Sequence, residues 1–111
     1  MKIPNAERCV VDRQKIVDYL LNGSHPENGG KAEFFAALGF DADNWETLAS
    51  AFRQLAVSAE VSQSVQSMHG QKFVVDGHIK SATGRAVGVR TVWILDVGSE
   101  VPRLVTGYPN G

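Results

Sequence analysis

The chain has 111 residues, of which 43% are hydrophobic and 21% are charged, and its formal net charge is −1. This length and composition are typical of a globular protein with one core, and we expect residues 1–111 to form a single domain. The near-neutral charge argues against a protein whose whole surface binds nucleic acid. One cysteine, Cys9, is present, so an intramolecular disulfide is excluded.

The first residues, MKIPNAERCVVDRQK, contain no apolar run of the length that a signal peptide needs. No stretch of the sequence reaches the length of a membrane-spanning helix. We therefore expect a cytoplasmic protein that does not associate with a membrane. The sequence leaves the oligomeric state open.

The first half of the sequence predicts three helices. The segment RQKIVDYLLNG places Ile16, Tyr19 and Leu20 on one helical face and ends at Asn22 and Gly23, which are typical of a helix stop. The segment KAEFFAALG has a similar apolar face and ends at a glycine. The third segment, DADNWETLASAFRQLA, carries an apolar stripe behind a predicted cap, which is either Asp43 or Asn44.

The second half predicts strands, because its apolar residues recur with a period of two. A strand over residues 59–66 precedes a turn near His69 and Gly70, and three further runs follow: KFVVDGHI, GRAVGVRTVWIL and RLVTGYP. Helices that precede hairpin-linked strands indicate an α+β fold. We expect about three N-terminal helices packed on one face of a C-terminal antiparallel sheet of about four strands.

Several of these blocks resemble a family of small uncharacterised bacterial proteins, above all HPENGGKAEFFAALGF, RTVW and PRLVTGYP. The order of the elements is more weakly similar to the metal-independent nuclease toxins that include barnase, the colicin tRNases and the RelE toxins. That second resemblance implies a ribonuclease-like member of a toxin–antitoxin pair, with catalytic side chains on the sheet face and the adjoining helix.

The loop SHPENGGK is the first candidate site. Gly29 and Gly30 free the backbone, and Lys31 begins a helix whose first amides lack partners within the helix, so an anion could bind there. His25 is the side chain suited to proton transfer near neutral pH. The alternative is purely structural: the loop turns the chain between two helices, and Lys31 extends into solvent.

Arginines on the strands form the second candidate. Arg90 lies between valines on a predicted central strand and needs an anionic partner, which could be a phosphate or the carboxylate of Asp76 or Asp96. A bulge at Gly88 would bring Arg85 to the face of Arg90. On the last strand, Arg103 and Thr106 lie on opposite faces unless Pro102 displaces the start of the strand.

These residues give two predicted sets. The catalytic set, a metal-free phosphodiester site, comprises His25, Lys31, Arg90 and Thr106. The ligand-binding set comprises Gly29, Gly30, Lys31, Arg85 and Arg103. We expect no cofactor and no metal, because the histidines lack the usual ligand spacing and no nucleotide-binding or hydrolase motif occurs.

Three functions remain open. The first is a metal-independent RNA-cleaving or RNA-binding toxin-like protein, whose partners are RNA and a small cognate protein. The second is a non-enzymatic interaction module of the antitoxin or immunity type. The third is a domain that binds a small anion at the start of the second helix.

Overall fold

The computed structural model describes residues 1–110 and shows helical segments followed by an antiparallel sheet. The helical part consists of 3-10 turns at Ala6–Arg8 and Ala42–Asn44, a π-helix at Lys15–Leu20, helix α1 at Lys31–Ala37 and helix α2 at Trp45–Ser58. The strands are β1 at Val61–Ser67, β2 at Gly70–Lys80, β3 at Ala86–Asp96 and β4 at Arg103–Pro109, in the spatial order β1-β2-β3-β4. The predicted α+β fold is confirmed.

The two central strands pair without interruption. Their register runs from Gly70 opposite Asp96 to Lys80 opposite Ala86. Gly88 lies directly opposite His78 in this register, so the bulge predicted at Gly88 is absent from the β2–β3 pair. As a result, Arg85 stays in the turn that precedes β3 and does not join the face of Arg90.

The helices cover one face of the sheet, and the core lies between the two layers. The side chains that are fully buried there come from both layers: Ile16, Leu20, Phe35, Leu48 and Phe52 from the helical part, and Val75, Val89, Thr91 and Trp93 from the strands. Burial of one large apolar side chain contributes about 1.5–3 kcal/mol, so this layer supplies most of the stability. The buried Thr91 hydroxyl is satisfied, because it accepts a hydrogen bond from Trp93 Nε1 at 2.9 Å and donates one to the Val75 carbonyl at 3.0 Å.

The start of α2 differs from the prediction. Asp41 is the capping residue, because its carboxylate accepts hydrogen bonds from the amides of Asp43 and Asn44 at 2.9 and 3.0 Å. The Asn44 side chain in turn accepts a hydrogen bond from the Asp41 amide at 2.7 Å, which completes a capping box. The cap therefore belongs to the 3-10 turn, which leads directly into α2.

Candidate functional site

The candidate site surrounds the hydroxyl group of Tyr19, in the π-helix. The amide of Leu21 donates to the carbonyl of Ile16 at 2.8 Å, five positions back, which is the π-helical pattern. Ile16 and Leu20 are fully buried and anchor the segment, whereas Tyr19 is half-buried at the edge of the helical layer. Short π-helical segments often occur at functional sites, because they displace side chains from their regular helical positions.

Asn28 fixes the loop that joins the π-helix to α1. Its side chain is buried, and its amide group donates to the carbonyls of Tyr19 and Leu20 at 2.6 and 3.3 Å. Its side-chain oxygen accepts a hydrogen bond from the Ala32 amide at 2.9 Å. One side chain thus ties the end of the π-helix to the first turn of α1, which holds Lys31 beside Tyr19.

Lys31 provides the positive charge at the site. Its ammonium group donates a hydrogen bond to the Tyr19 hydroxyl oxygen. The ammonium nitrogen also lies 4.8 Å from the centroid of the Tyr19 ring and 6.0 Å from that of the Tyr108 ring. Lys31 is therefore held between two aromatic rings and does not extend freely into solvent, and both rings can attract its charge.

Thr106 reaches the same hydroxyl from β4. Its hydroxyl oxygen lies 3.5 Å from Tyr19 Oη, longer than the usual range of about 2.5–3.0 Å for such a hydrogen bond, so Thr106 makes a weak contact there. The register between β3 and β4 shifts at Val105, so that Leu104 faces Trp93 and Thr106 faces Val92. This bulge at Val105, and not Pro102, changes the parity of the strand, with the result that Arg103 and Thr106 share a face.

His25 packs against Tyr19 from the loop. The two ring centroids are 4.9 Å apart, and the ring planes meet at 70°. The amide of Glu27 donates to Nδ1 of His25 at 3.1 Å. Because Nδ1 accepts this hydrogen bond, the neutral imidazole carries its proton on Nε2 and acts as a donor there.

The electrostatic environment favours ionisation of Tyr19. Burial acts to raise the pKa of Tyr19, but hydrogen bonds from Lys31 and Thr106 and the charges of Lys31 and Lys15 outweigh it, so the pKa falls below its ordinary value. The Lys15 ammonium nitrogen lies 5.3 Å from the centroid of the Tyr19 ring. A lowered pKa raises the fraction of the phenolate form, which is the form of tyrosine that can serve as a general base.

A groove of about 290 Å³ gives access to this hydroxyl. It is lined by Lys15, Tyr19, His25, Glu27, Val105 and Thr106. The lining combines a cation, an imidazole donor and two hydroxyl groups with a single carboxylate. Such a groove can bind an anionic molecule whose apolar part contacts the apolar part of the lining.

Arg90 lies one strand away and is already paired. Its guanidinium group donates to both carboxylate oxygens of Asp76, at 2.7 and 2.9 Å. The hydrogen bond from Arg90 holds the pKa of Asp76 below its usual range, and the carboxylate raises the pKa of Arg90. Arg90 also faces Tyr108 across β3 and β4. Tyr108 therefore neighbours both Arg90 and Lys31, and the charge of Arg90 is largely balanced by Asp76.

The glycine turn before α1 adopts the left-handed backbone that glycine permits, with φ angles of 64° at Gly29 and 87° at Gly30. Some of the backbone amides that follow the turn already donate hydrogen bonds within the protein, however. The Lys31 amide donates to the Asn28 carbonyl at 3.2 Å, and the Ala32 amide donates to the side-chain oxygen of Asn28. The turn thus serves to place Lys31, and it leaves few free amides for an anion.

Arg85 and Arg103 lie outside the Tyr19 cluster. Arg85 is exposed in the turn between β2 and β3, where its amide donates to the Ser81 hydroxyl at 3.1 Å. Arg103 forms a two-bond ion pair with Asp96, at 2.7 and 3.0 Å. Within residues 1–110, neither arginine makes a hydrogen bond or ion pair to Tyr19 or Lys31.

The sequence prediction missed Tyr19 and Asn28. The helical pattern assigns Tyr19 to an apolar face together with Ile16 and Leu20, although a tyrosine at the margin of such a face can also present its hydroxyl group. Asn28 precedes Gly29, which is typical of a turn, and nothing in that pattern reveals its three hydrogen bonds. His25, Lys31 and Thr106, by contrast, all contact Tyr19.

None of the helices in the described part of the chain is both long enough and apolar enough to cross a bilayer. Across residues 1–110, no three side chains of His, Cys, Asp or Glu lie together in a way that could hold a metal ion.

Comparisons with known proteins give one structural and one family relationship. The fold is similar to that of a chain in a solved structure described as a contact-dependent growth inhibition toxin–immunity protein complex from Klebsiella pneumoniae 342. The TM-score is 0.72 at 23% sequence identity, over 96% of this chain and 97% of that chain, which shows a shared fold. Comparison with curated proteins gave no significant match.

The family relationship covers almost all of the sequence. The model of a family described as a domain of unknown function, DUF6883, matches residues 2–111. The resemblance to an uncharacterised family is thereby confirmed. The chain belongs to the DUF6883 family.

Proposed function

We propose that this chain is a toxin-like domain that cleaves RNA without a metal ion, at the Tyr19 groove. The observation that carries the proposal is the convergence of Lys31 and Thr106 on the Tyr19 hydroxyl, beside His25. A tyrosine with a lowered pKa, flanked by two lysines, offers both a base and positive charge for a phosphate. The fold shared with a chain of a toxin–immunity complex supports a role in such a pair, as either the toxin or the immunity protein.

The proposed reaction uses the 2′-hydroxyl of RNA as the nucleophile. The Tyr19 phenolate accepts the proton of this hydroxyl, and the bond between O2′ and phosphorus forms. The bond between phosphorus and O5′ breaks, and the leaving oxygen takes a proton from the Lys15 ammonium, which lines the same groove. The products are a 2′,3′-cyclic phosphate and a free 5′-hydroxyl.

The other residues of the site stabilise the transition state or hold it in place. The Nε2 proton of His25, which lines the groove, faces the negative charge that develops on the phosphate oxygens, and the Lys31 ammonium stabilises the Tyr19 phenolate through its hydrogen bond. Thr106 orients the Tyr19 hydroxyl. Arg90 acts as a positioning residue, because it supports Tyr108, which flanks Lys31.

The test is cleavage of bacterial tRNA in excess EDTA, followed by analysis of the product ends. We expect cyclic phosphate ends from RNA and no cleavage of a DNA strand of the same sequence. Lys31→Met should reduce the rate by about 10²-fold or more, because it removes the charge next to Tyr19. Lys72→Met, which alters a half-exposed lysine on β2, is the matched control and should leave the rate unchanged. An inactive wild-type protein, or equal rates for the two variants, would contradict the proposal.

A second candidate is a non-enzymatic module of the immunity type. The observation that favours it is the pairing of Arg90 with Asp76 and of Arg103 with Asp96, which leaves few free cations on that face of the sheet. An immunity-type protein protects a cell from a separate toxin. Expression in bacteria separates the two functions: growth arrest that Tyr19→Phe relieves supports the nuclease, whereas unimpaired growth supports the module.

A further inference from the structure

Strand β2 has a free outer edge over part of its length. The pairing of β1 with β2 ends at Val61, which faces Val75, and the Val61 amide instead donates to the Met1 carbonyl at 2.7 Å. Strand β2 continues to Lys80. Its last part, residues 76–80, therefore pairs with β3 alone within the described chain.

The backbone groups on this edge point away from the sheet. The Ser81 amide donates to the Arg85 carbonyl at 2.8 Å, so the backbone N–H and C=O groups of Ser81 face the β3 side of the hairpin. Backbone groups alternate in direction along a strand, so those of His78 and Lys80 face the opposite side. Strand edges of this kind bind further strands, and proteins usually cover or blunt them.

Helix α2 lies beside this edge and completes a groove of about 500 Å³. A Cβ atom at Gly77 would lie 2.3 Å from Leu55 Cδ1, which shows how closely α2 packs against β2 at the base of the groove. The wall formed by α2 carries mostly small side chains: Thr47, Ser50, Ala51 and Ser58. An exposed strand edge is a common site for recognition of an extended peptide, which adds a strand to the sheet.

The charge of the groove determines which peptides it favours. Lys80 is the one formally charged residue of its lining, His78 lies next to it, and no carboxylate is present among the lining residues. We infer that the groove between α2 and the edge of β2 binds an extended, acidic segment of a partner protein, which adds a strand to the sheet.

The free edge sets the length of that segment. Five residues of β2 are free, which corresponds to about 17 Å of strand, so about five residues of the partner pair with it. An acidic side chain of the segment meets Lys80, and apolar side chains on its inner side contact Leu55 and Ile79. The Tyr19 site uses β4, at the opposite end of the sheet, so the bound segment leaves that site open.

The probe is a fluorescein-labelled peptide of the sequence TVEVDVT, with TVKVKVT as the basic control. Fluorescence anisotropy should show that the wild-type protein binds the acidic peptide at least about tenfold more tightly than the basic one. Lys80→Glu should reverse this preference. On binding, hydrogen exchange of the His78 and Lys80 amides should slow, because they become paired.

Two variants test the position of the peptide. His78→Pro removes an amide that makes no bond to β3, so it should abolish binding while the sheet is kept. Ser50→Trp, on the exposed side of α2, fills the groove and should abolish binding even if the proline variant fails to fold.

Four results would overturn the inference: no binding of either peptide, equal binding of both peptides with no effect of Lys80→Glu, binding that survives both blocking variants, or self-association that the blocking variants abolish. The last result would assign the edge to a second copy of the chain.

Discussion

The ammonium group of Lys31 donates a hydrogen bond to the hydroxyl oxygen of Tyr19, although the two residues are twelve positions apart and belong to different helices. This contact depends on the loop between them, which Asn28 holds in place. It also places the positive charge of Lys31 next to the hydroxyl group of Tyr19, which faces an open groove. The lowered pKa of Tyr19 therefore depends on the conformation of this loop as well as on the tyrosine side chain.

The first prediction concerns this acidity. The chain has two tyrosines, so the Tyr108→Phe variant leaves Tyr19 as its one phenol. Titration of its phenolate absorbance should give a pKa below the ordinary value of about 10, and Lys31→Met should raise that pKa, because burial then dominates. Since the pKa is lower in the folded state, Tyr19 contributes to folding stability above about pH 10, and this contribution is lost as the pH falls through the lower, folded pKa. A pKa of 10 or more in the Tyr108→Phe protein would contradict this account.

The second prediction concerns Asn28. Replacement by alanine leaves the Tyr19 and Leu20 carbonyls and the Ala32 amide without their partner, which should lower the free energy of unfolding by about 1–3 kcal/mol. Chemical denaturation measures this loss. Asn28→Asp keeps the acceptor but loses both donors, and it should be destabilised to a similar extent. Wild-type stability in the aspartate variant would show that the donors are unimportant.

The same residues show how much of the fold and of the candidate site could be predicted from the sequence. The strands were predictable because their alternation reports the faces of a sheet and their turns are local. Lys31 and His25 were identified as candidates from their positions beside a glycine turn. The contact with Thr106 depends on the bulge at Val105, which shifts a register that alternation alone treats as continuous. Tyr19 was missed because its role arises from a π-helical segment within an apparently ordinary amphipathic pattern.

The third prediction concerns the pair of Asp76 and Arg90. The pKa of Asp76 is lowered by the hydrogen bond from Arg90, so the pair adds stability above the ordinary carboxyl pKa of about 3.9 and loses it as the pH falls through the lower, folded value. Asp76→Asn should therefore be less stable than wild type at pH 7, by about 1 kcal/mol or less, and should match it in strong acid. Glu100→Gln, an exposed change on the loop after β3, is the control. A stability difference that stays constant down to the lowest pH would contradict this prediction.

The fourth prediction compares two glycines with positive φ angles. Gly70 has a φ of 142°, and a Cβ atom there would lie 2.0 Å from the Leu95 carbonyl oxygen, whereas Gly84 has a φ of 89° and open space around it. Both alanine substitutions carry the backbone strain, and only Gly70→Ala adds a clash with backbone atoms. We expect Gly70→Ala to be the more destabilising by about 1–3 kcal/mol in thermal or chemical unfolding. Equal stability of the two variants would show that the β1–β2 turn relaxes freely.

The most direct test of the central claim is the single-turnover rate of RNA cleavage in EDTA for wild-type and Tyr19→Phe proteins with matching unfolding curves. The account predicts cyclic phosphate products from the wild-type protein and a rate lower by about 10²- to 10⁴-fold in the phenylalanine variant, because only the base is removed. A wild-type protein that leaves RNA intact, or a phenylalanine variant that cleaves as fast as wild type, would contradict it.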